Sequence, residues 1–102
     1  MTREEIADIN PEAILYDGYD DAIIGMASRC GMTEVVAYDE EKFLEIMANS
    51  FELTEDDLDD YDISCGYTLE DKKQIMALEN YEFNYLGAYL GDNTPIFIRL
   101  NL

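Results

Sequence analysis

Most side chains of this sequence that could do chemistry are carboxylates. The stretch ELTEDDLDDYD, residues 52–62, carries seven Asp and Glu residues and no basic residue. Such a run could bind a divalent cation, imitate the phosphates that a basic protein groove recognises, or begin a helix, whose N-terminus favours negative charge. These three possibilities place different demands on the neighbouring residues.

A calcium loop is the first possibility. Within residues 60–71, acidic or hydroxyl side chains stand at loop positions one, three, five and twelve, which resembles an EF-hand. However, Cys65 occupies the sixth position, where glycine is needed, and the last ligand is Asp71 instead of the longer Glu. We therefore predict an acidic helix end followed by a turn, with no metal or cofactor, although cation binding by this loop stays open.

Catalysis has little support in the residue types. The chain has no histidine, which is the commonest general base near neutral pH and the commonest zinc ligand. Cys30 and Cys65 lack a neighbouring histidine base and are interpreted as reduced, buried cytoplasmic thiols. We predict that the chain is not an enzyme. The alternative is a small-molecule site or proton transfer at Tyr16–Asp21, a turn that combines two tyrosines with three aspartates.

Composition sets limits on the fold and the partner. The 102 residues suit a single domain, residues 1–102, and 48% apolar content is enough for a core. The formal charge is −18, from 24 acidic and six basic residues, and such a surface repels nucleic acid and anionic membranes. The sequence shows no apolar run of membrane-spanning length and no signal peptide, so we expect a cytoplasmic protein with a basic protein partner.

Helices are predicted from their start signals. Asp39 is followed directly by two acidic residues, Thr54 by three, and Thr68 by two after one intervening leucine. This is the arrangement of an N-cap and an acidic first turn. Tyr38 and Phe43 flank the first cap at the spacing of a hydrophobic staple. The helix after Thr54 is expected to be about two turns long.

Strands and further apolar positions complete the expected fold. Residues 11–16 are predicted to form a short helix, because proline suits its first turn. Two β-hairpins are predicted at about 22–38 and 83–100. The expected class is α+β, with a four-stranded antiparallel sheet and two or three helices between the hairpins. In the helix after Thr68, the expected buried residues are Ile75, Met76 and Leu78.

The second predicted hairpin is apolar on both faces. One face would carry Phe83, Tyr85, Tyr89 and Phe97. An exposed aromatic face of this size is unusual for a monomer. A self-associating structural module, such as a homodimer, is therefore an alternative function.

Three segments resemble a family of small bacteriophage and prophage proteins. The segments are PEAILYDGYDDAIIG (residues 11–25), VVAYDEEKFLEIM (residues 35–47) and YEFNYLGAYLGDNTPIFI (residues 81–98). They are similar to the family's E-A-I-L-x-D-G-x-x-D-A-I-I-G start, its middle, and its E-F-N-x-x-G-A-Y-x-G-x-x-T-P end. The family has no established activity, so the resemblance implies no catalytic residues. It implies action in the host cytoplasm.

These observations favour a small acidic binding protein that engages a host protein. Its sharpest version is inhibition of a basic nucleic-acid-binding enzyme by charge mimicry. Asp59, Asp60 and Asp62 are the candidate partner-binding residues, since they lie beyond the helix start at Thr54 and have no local explanation in the sequence.

Overall fold

The computed structural model describes residues 1–28, 30, 31 and 33–100. Over these residues the fold is α+β, as predicted, with four α-helices and one three-stranded sheet. The elements are α1 (Arg3–Ile9), β1 (Ile23–Ala27), β2 (Val35–Asp39), α2 (Glu40–Ser50), α3 (Asp60–Ser64), α4 (Leu69–Tyr81) and β3 (Ile96–Ile98). Shorter pieces are 3₁₀ turns at Asp20–Ala22 and Glu55–Asp57 and a π-helical turn at Glu82–Leu86.

The chain divides into two compact units. Unit 1 comprises Met1–Phe43 and Ala88–Leu102, and unit 2 comprises Leu44–Gly87. The sheet and α1 belong to unit 1, whereas α3 and α4 belong to unit 2. The single domain expected for residues 1–102 stays a prediction.

The sheet of unit 1 has β2 at its centre. β1 pairs antiparallel with β2, with an irregular register between Ile23 and Gly25, and this confirms the first predicted hairpin. Gly31 lies in its connection at φ +80°, a backbone conformation that favours glycine. Arg29 and Met32, inside the same predicted hairpin, lie outside the described residues. The first four residues of β2 are all buried, which its unbroken apolar run indicates.

The four-stranded antiparallel sheet is not confirmed. Of the second predicted hairpin only β3 forms, and it pairs with β2 in parallel, so the sheet is mixed. Residues 82–86 instead continue the course of α4 as a π-helical turn. The expected turn does form at Gly91, where φ is +101° and Thr94 N–H donates to the Gly91 carbonyl. A short apolar run fits a strand or a helix equally, and here the local hydrogen bonds of the helix prevail.

The N-terminal segment also differs from the prediction. The first helix of the chain is α1, which precedes the predicted one. Thr2 caps it, and the Thr2 side chain accepts a hydrogen bond from Glu5 N–H. Residues 13–16, in the predicted helix, have no helical structure. Two of their amides have distant partners, since Ile14 N–H donates to the Asn93 carbonyl at 3.3 Å and Tyr16 N–H donates to the Tyr38 hydroxyl at 2.9 Å. Tertiary hydrogen bonds therefore replace the helical ones that proline at the start suggests.

The start of α2 is as predicted. Asp39 Oδ1 accepts from Glu41 N–H at 3.1 Å and from Lys42 N–H at 3.4 Å, so Asp39 is the N-cap. Tyr38 and Phe43 meet edge to face, with ring centroids 5.4 Å apart, as a hydrophobic staple requires. This cap fixes the point where β2 ends and the helix begins.

An aromatic cluster forms the centre of unit 1. Phe43 and Tyr38 are fully buried, and Phe97 of β3 lies 4.9 Å from Phe43 between ring centroids. Tyr16 packs against both Tyr38 and Phe43, and Tyr19 stacks on Phe43 at 3.9 Å. We call these five residues the aromatic cluster. It connects β2, β3, α2 and the segment before β1.

Candidate functional site

The acidic run of residues 52–62 forms two successive helix starts in unit 2. Thr54 N–H donates to Asp57 Oδ2 at 2.8 Å and closes a single 3₁₀ turn, instead of the two-turn helix predicted. A second start follows at once. Asp59 Oδ1 accepts from Asp62 N–H at 2.8 Å, and Asp59 N–H donates to Asp62 Oδ2 at 3.1 Å, a reciprocal capping box for α3. Three of the seven carboxylates therefore accept hydrogen bonds from backbone N–H groups.

Asp62 also makes a part-buried ion pair. It is only 4% exposed, and its Oδ2 lies 3.0 Å from Lys72 Nζ on α4. The hydrogen bond from Lys72 lowers the pKa of Asp62, and the same bond raises the pKa of Lys72. This pair links α3 to α4, so a partner could reach the Asp62 carboxylate only by breaking that link.

The three predicted partner-binding carboxylates therefore differ in what they do. Asp59 caps α3, and Asp62 is buried against Lys72. Asp60 is exposed, and its carboxylate makes no hydrogen bond or ion pair among the described residues. Their role in partner binding stays a prediction, and Asp60 is the member whose charge is open to solvent.

The segment that resembles a calcium loop is divided between two helices. Gly66, at φ +76°, ends α3, and Thr68 then begins α4. Thr68 N–H donates to Asp71 Oδ2 at 3.0 Å, so the residue at loop position twelve closes a capping box. Among the described residues, no group of three or more His, Cys, Asp or Glu side chains has the arrangement of a metal site.

An open groove of about 570 Å³ lies in unit 2, where the connection from α3 meets α4. We call it the α4 groove. It is lined by Cys65, Gly66, Tyr67, Asp71, Gln74, Ile75 and Leu78. The four lining residues that belong to α4 have the spacing i, i+3, i+4 and i+7, which places them on one face of the helix. The groove is therefore built on one continuous helix face.

The apolar half of the α4 face in this groove is not buried. Ile75 is 36% exposed and Leu78 is 45% exposed, whereas Ala77 and Tyr81 are 1% exposed. The expected burial of Ile75 and Leu78 is therefore wrong. Ala77 and Tyr81, four residues apart, supply the buried side, and α4 therefore has a broad apolar stripe of which one edge is presented to solvent.

The cysteines are free and exposed. Their interpretation as small buried apolar residues is wrong. Cys65 lines the α4 groove, and its hydrogen bond with Tyr61 raises the pKa of that tyrosine. Since Tyr61 is itself 69% exposed, the pair lies on the surface of α3.

The turn Tyr16–Asp21 in unit 1 is held by Arg3. The guanidinium donates to both carboxylate oxygens of Asp20 at 2.9 Å and to Asp17 Oδ1 at 3.1 Å. The hydrogen bond from Arg3 lowers the pKa of Asp20. An ionised carboxylate in a two-pronged contact with arginine is a poor proton acceptor, so this arrangement favours a structural role for the turn.

The predicted aromatic sheet face does not form. Only Phe97 lies in a strand, and its ring belongs to the aromatic cluster. Phe83 and Tyr85 lie in the π-helical turn of unit 2, where Phe83 is 87% exposed, and Tyr89 lies outside any helix or strand and is 78% exposed. The homodimer stays a prediction, but without the shared face that suggested it.

Besides Glu79, whose charge acts on Lys72, six carboxylates of unit 2 are exposed and make no hydrogen bond or ion pair among the described residues. They are Glu52, Glu55, Asp56, Asp60, Glu70 and Glu82. The unit contains twelve Asp and Glu residues against Lys72 and Lys73 only. Half of the acidic residues of unit 2 are therefore exposed without a hydrogen-bonding or ion-pair partner among the described residues.

Two features of these sites were missed from the sequence, and only one had a local signal. The apolar residues of α4 at helical spacing, Ile75 with Leu78 and Ala77 with Tyr81, indicate an apolar stripe wider than a single buried face. The contact of Arg3 with Asp17 and Asp20 joins residues at least fourteen positions apart, and no local pattern announces it.

Comparisons with known proteins identify no relative of this chain. None of the helices in the described part of the chain has the length and apolar content needed to cross a membrane. The resemblance to small phage proteins stays an interpretation of the sequence segments alone. The chain matches no protein-family model, no curated protein and no solved structure.

Proposed function

We propose that the chain is a non-enzymatic binding protein that engages a basic protein through unit 2. The observation that carries the proposal is the set of six exposed, uncompensated carboxylates between Glu52 and Glu82. The other acidic residues of the 52–62 run accept hydrogen bonds from backbone amides or from Lys72, whereas the carboxylates of these six make no such bond, although four of the six also stand in the first turn of a helix. A surface of one sign attracts an oppositely charged partner quickly and in a salt-dependent way.

By the resemblance to phage proteins, the proposed partner belongs to a host cell, and binding takes place in its cytoplasm. In the sharpest form of the proposal, the partner is a nucleic-acid-binding protein and the carboxylates occupy its phosphate sites. The chain itself is expected not to bind nucleic acid, because its charge repels phosphate.

The test uses charge removal with the fold kept intact. Immobilised protein is offered bacterial lysate, and bound proteins are eluted by a salt series and identified. The variant Asp56→Asn, Asp60→Asn, Glu70→Gln removes three exposed charges of unit 2. The control, Asp8→Asn, Glu12→Gln, Glu34→Gln, removes three exposed charges of unit 1.

We expect one or a few basic proteins that elute at moderate salt, with less bound to the unit 2 variant and unchanged amounts bound to the control. Release of the same partner by DNA would support the mimicry form. Partners that are uncharged, or that remain bound in high salt, would contradict the proposal, and so would equal losses with both variants.

A further inference from the structure

The α4 groove leaves two apolar side chains of unit 2, Ile75 and Leu78, uncovered beside polar lining residues. Ile75 and Leu78 are one turn apart on its wall, and Tyr67 of the preceding connection is half-buried beside them. Exposed apolar side chains of this kind gain about 25 cal/mol for each Å² that a partner removes from water. The groove is wide open to solvent, so a partner segment can lie across it.

The walls of the groove suit a helical occupant. Its longest wall is a helix face with residues at i, i+3, i+4 and i+7, namely Asp71, Gln74, Ile75 and Leu78. A second helix can lay its own apolar stripe along such a face, with side chains at the same spacing. The rest of the lining is the short connection Cys65–Tyr67, in which Gly66 has no side chain to limit the approach.

Charge decides between the possible occupants. Asp71 lines the groove, Glu70 precedes it, and Glu82 follows Leu78 by four residues. A second copy of the chain would bring another unit with twelve acidic and two basic residues against this surface, which is repulsive. A segment with lysine or arginine beside its apolar stripe would be attracted to the same surface.

We propose that the α4 groove binds a basic amphipathic helix of the protein partner. This inference rests on the proposed function and assigns to it a surface and a type of partner segment. The apolar stripe of the bound helix contacts Ile75 and Leu78, and its flanking basic side chains face Asp71, Glu70 and Glu82. Affinity comes from the apolar contact, and the carboxylates select a cationic segment and raise the association rate.

The direct test uses a synthetic probe instead of an unidentified partner. The probe is a fluorescein-labelled peptide of leucine and lysine, about 14 residues long, roughly the length at which an isolated helix forms. Its leucines have helical spacing. One control peptide has the same composition with leucine at every second position, and another replaces lysine with glutamate. Binding is measured by fluorescence polarisation at moderate salt.

Three single variants locate the binding surface. Leu78→Gln and Ile75→Gln place a polar residue with good helix propensity in the groove. Ile24→Thr is the matched control, because Ile24 of β1 is 45% exposed, as Leu78 is, and threonine suits a strand. Thermal unfolding of each variant confirms that it is folded before binding is measured.

We expect the helical lysine peptide to bind the wild-type chain and each groove variant to weaken that binding about tenfold, with Ile24→Thr unchanged. The strand-patterned and glutamate peptides should bind at least about tenfold more weakly. Equal binding of the two lysine peptides would overturn the inference, as would equal effects of Leu78→Gln and Ile24→Thr.

The inference and the proposed function can fail separately. If the lysate partner is lost with the charge variant but kept with Leu78→Gln and Ile75→Gln, binding to a basic protein stands and the groove assignment falls. If no basic partner is captured, the proposed function falls, and a peptide that distinguishes Leu78→Gln from Ile24→Thr still establishes the groove as a binding surface.

Discussion

The side chains of Asp59 and Asp62 each accept a hydrogen bond from the other residue's backbone N–H across the first turn of α3. Asparagine is as good an N-cap as aspartate, whereas alanine offers no acceptor. We therefore expect Asp59→Ala to lower the free energy of unfolding by about 1 kcal/mol and Asp59→Asn to lower it by no more than a few tenths. Urea denaturation measures both. If the two variants lost the same stability, the charge of Asp59 and not its capping bond would be what matters.

Tyr38 is a second residue with one well-defined polar task. Its hydroxyl accepts from Tyr16 N–H at 2.9 Å inside the aromatic cluster, and burial raises the pKa of Tyr38. Tyr38→Phe keeps the ring but removes this acceptor. We expect the free energy of unfolding to fall by about 1–2 kcal/mol, because the amide of Tyr16 then lacks its partner.

The control for that substitution is Tyr89→Phe. The Tyr89 hydroxyl donates to Asp92 Oδ1 at 3.3 Å on the surface, and the residue is 78% exposed. Its loss should change the free energy of unfolding by no more than about 0.5 kcal/mol. A cost for Tyr38→Phe as small as this would mean that water satisfies the Tyr16 amide.

Single residues were predictable where their partners are close in sequence. The caps Asp39 and Thr68 and the staple of Tyr38 with Phe43 are confirmed, because each depends on residues two to five positions apart. The roles of Asp59 and Asp62 were not recognised, although their capping-box spacing is present in the sequence. The ion pair of Asp62 with Lys72 could not be recognised, since it needs the relative placement of α3 and α4.

At the scale of elements, helix starts in this chain depend on carboxylates. Capping boxes use Glu5 for α1, Asp62 for α3 and Asp71 for α4, and Asp39 caps α2. The backbone hydrogen bond from Thr2 lowers the pKa of Glu5, and Lys72 lowers the pKa of Asp62. A lowered folded-state pKa adds stability above the unfolded-state value near 4, and this stability is lost as the pH falls through the folded-state value.

We therefore expect the unfolding temperature to change little from pH 7 to about pH 5 and to fall below about pH 4. Calorimetry measures it. Glu5→Gln should show a smaller fall than the wild type, because glutamine keeps the capping box but does not titrate. Glu4→Gln, outside the box, should behave as the wild type does. Parallel curves for the two variants would contradict the assigned role of Glu5.

Helices and strands were predictable where the pattern of apolar residues fits only one type of secondary structure. The continuous run of β2 and the caps of α2 and α4 identified those elements. Residues 83–90 were predicted to be a strand, but their apolar positions also fit a helix, and residues 82–86 form a π-helical turn. The parallel pairing of β3 with β2 joins residues about sixty positions apart, for which the sequence has no local signal.

For the whole molecule, the net charge of −18 makes self-repulsion a general term in stability. Salt screens it, since the Debye length falls from about 30 Å at 0.01 M to about 8 Å at 0.15 M. We expect the free energy of unfolding to rise with NaCl over this range by something on the order of 1 kcal/mol.

Urea denaturation in a salt series measures this effect. The triple variant Asp56→Asn, Asp60→Asn, Glu70→Gln carries a smaller net charge, so its gain with salt should be smaller than that of the wild type. A stability that falls with salt would show that the ion pairs at Arg3 and Lys72 outweigh the repulsion. The net charge of the whole molecule follows directly from the sequence. How that charge is distributed between the two units could not be predicted from it.

The aromatic cluster has a consequence for spectroscopy. The chain has no tryptophan, so its near-ultraviolet circular dichroism comes from tyrosine and phenylalanine. Tyr16, Tyr19 and Tyr38 are held against one another or against Phe43 in a fixed, asymmetric arrangement within unit 1. Tyr61 of unit 2 is largely in solvent. The cluster therefore gives unit 1 an intrinsic chiral signal, with which loss of its packing can be observed without any label.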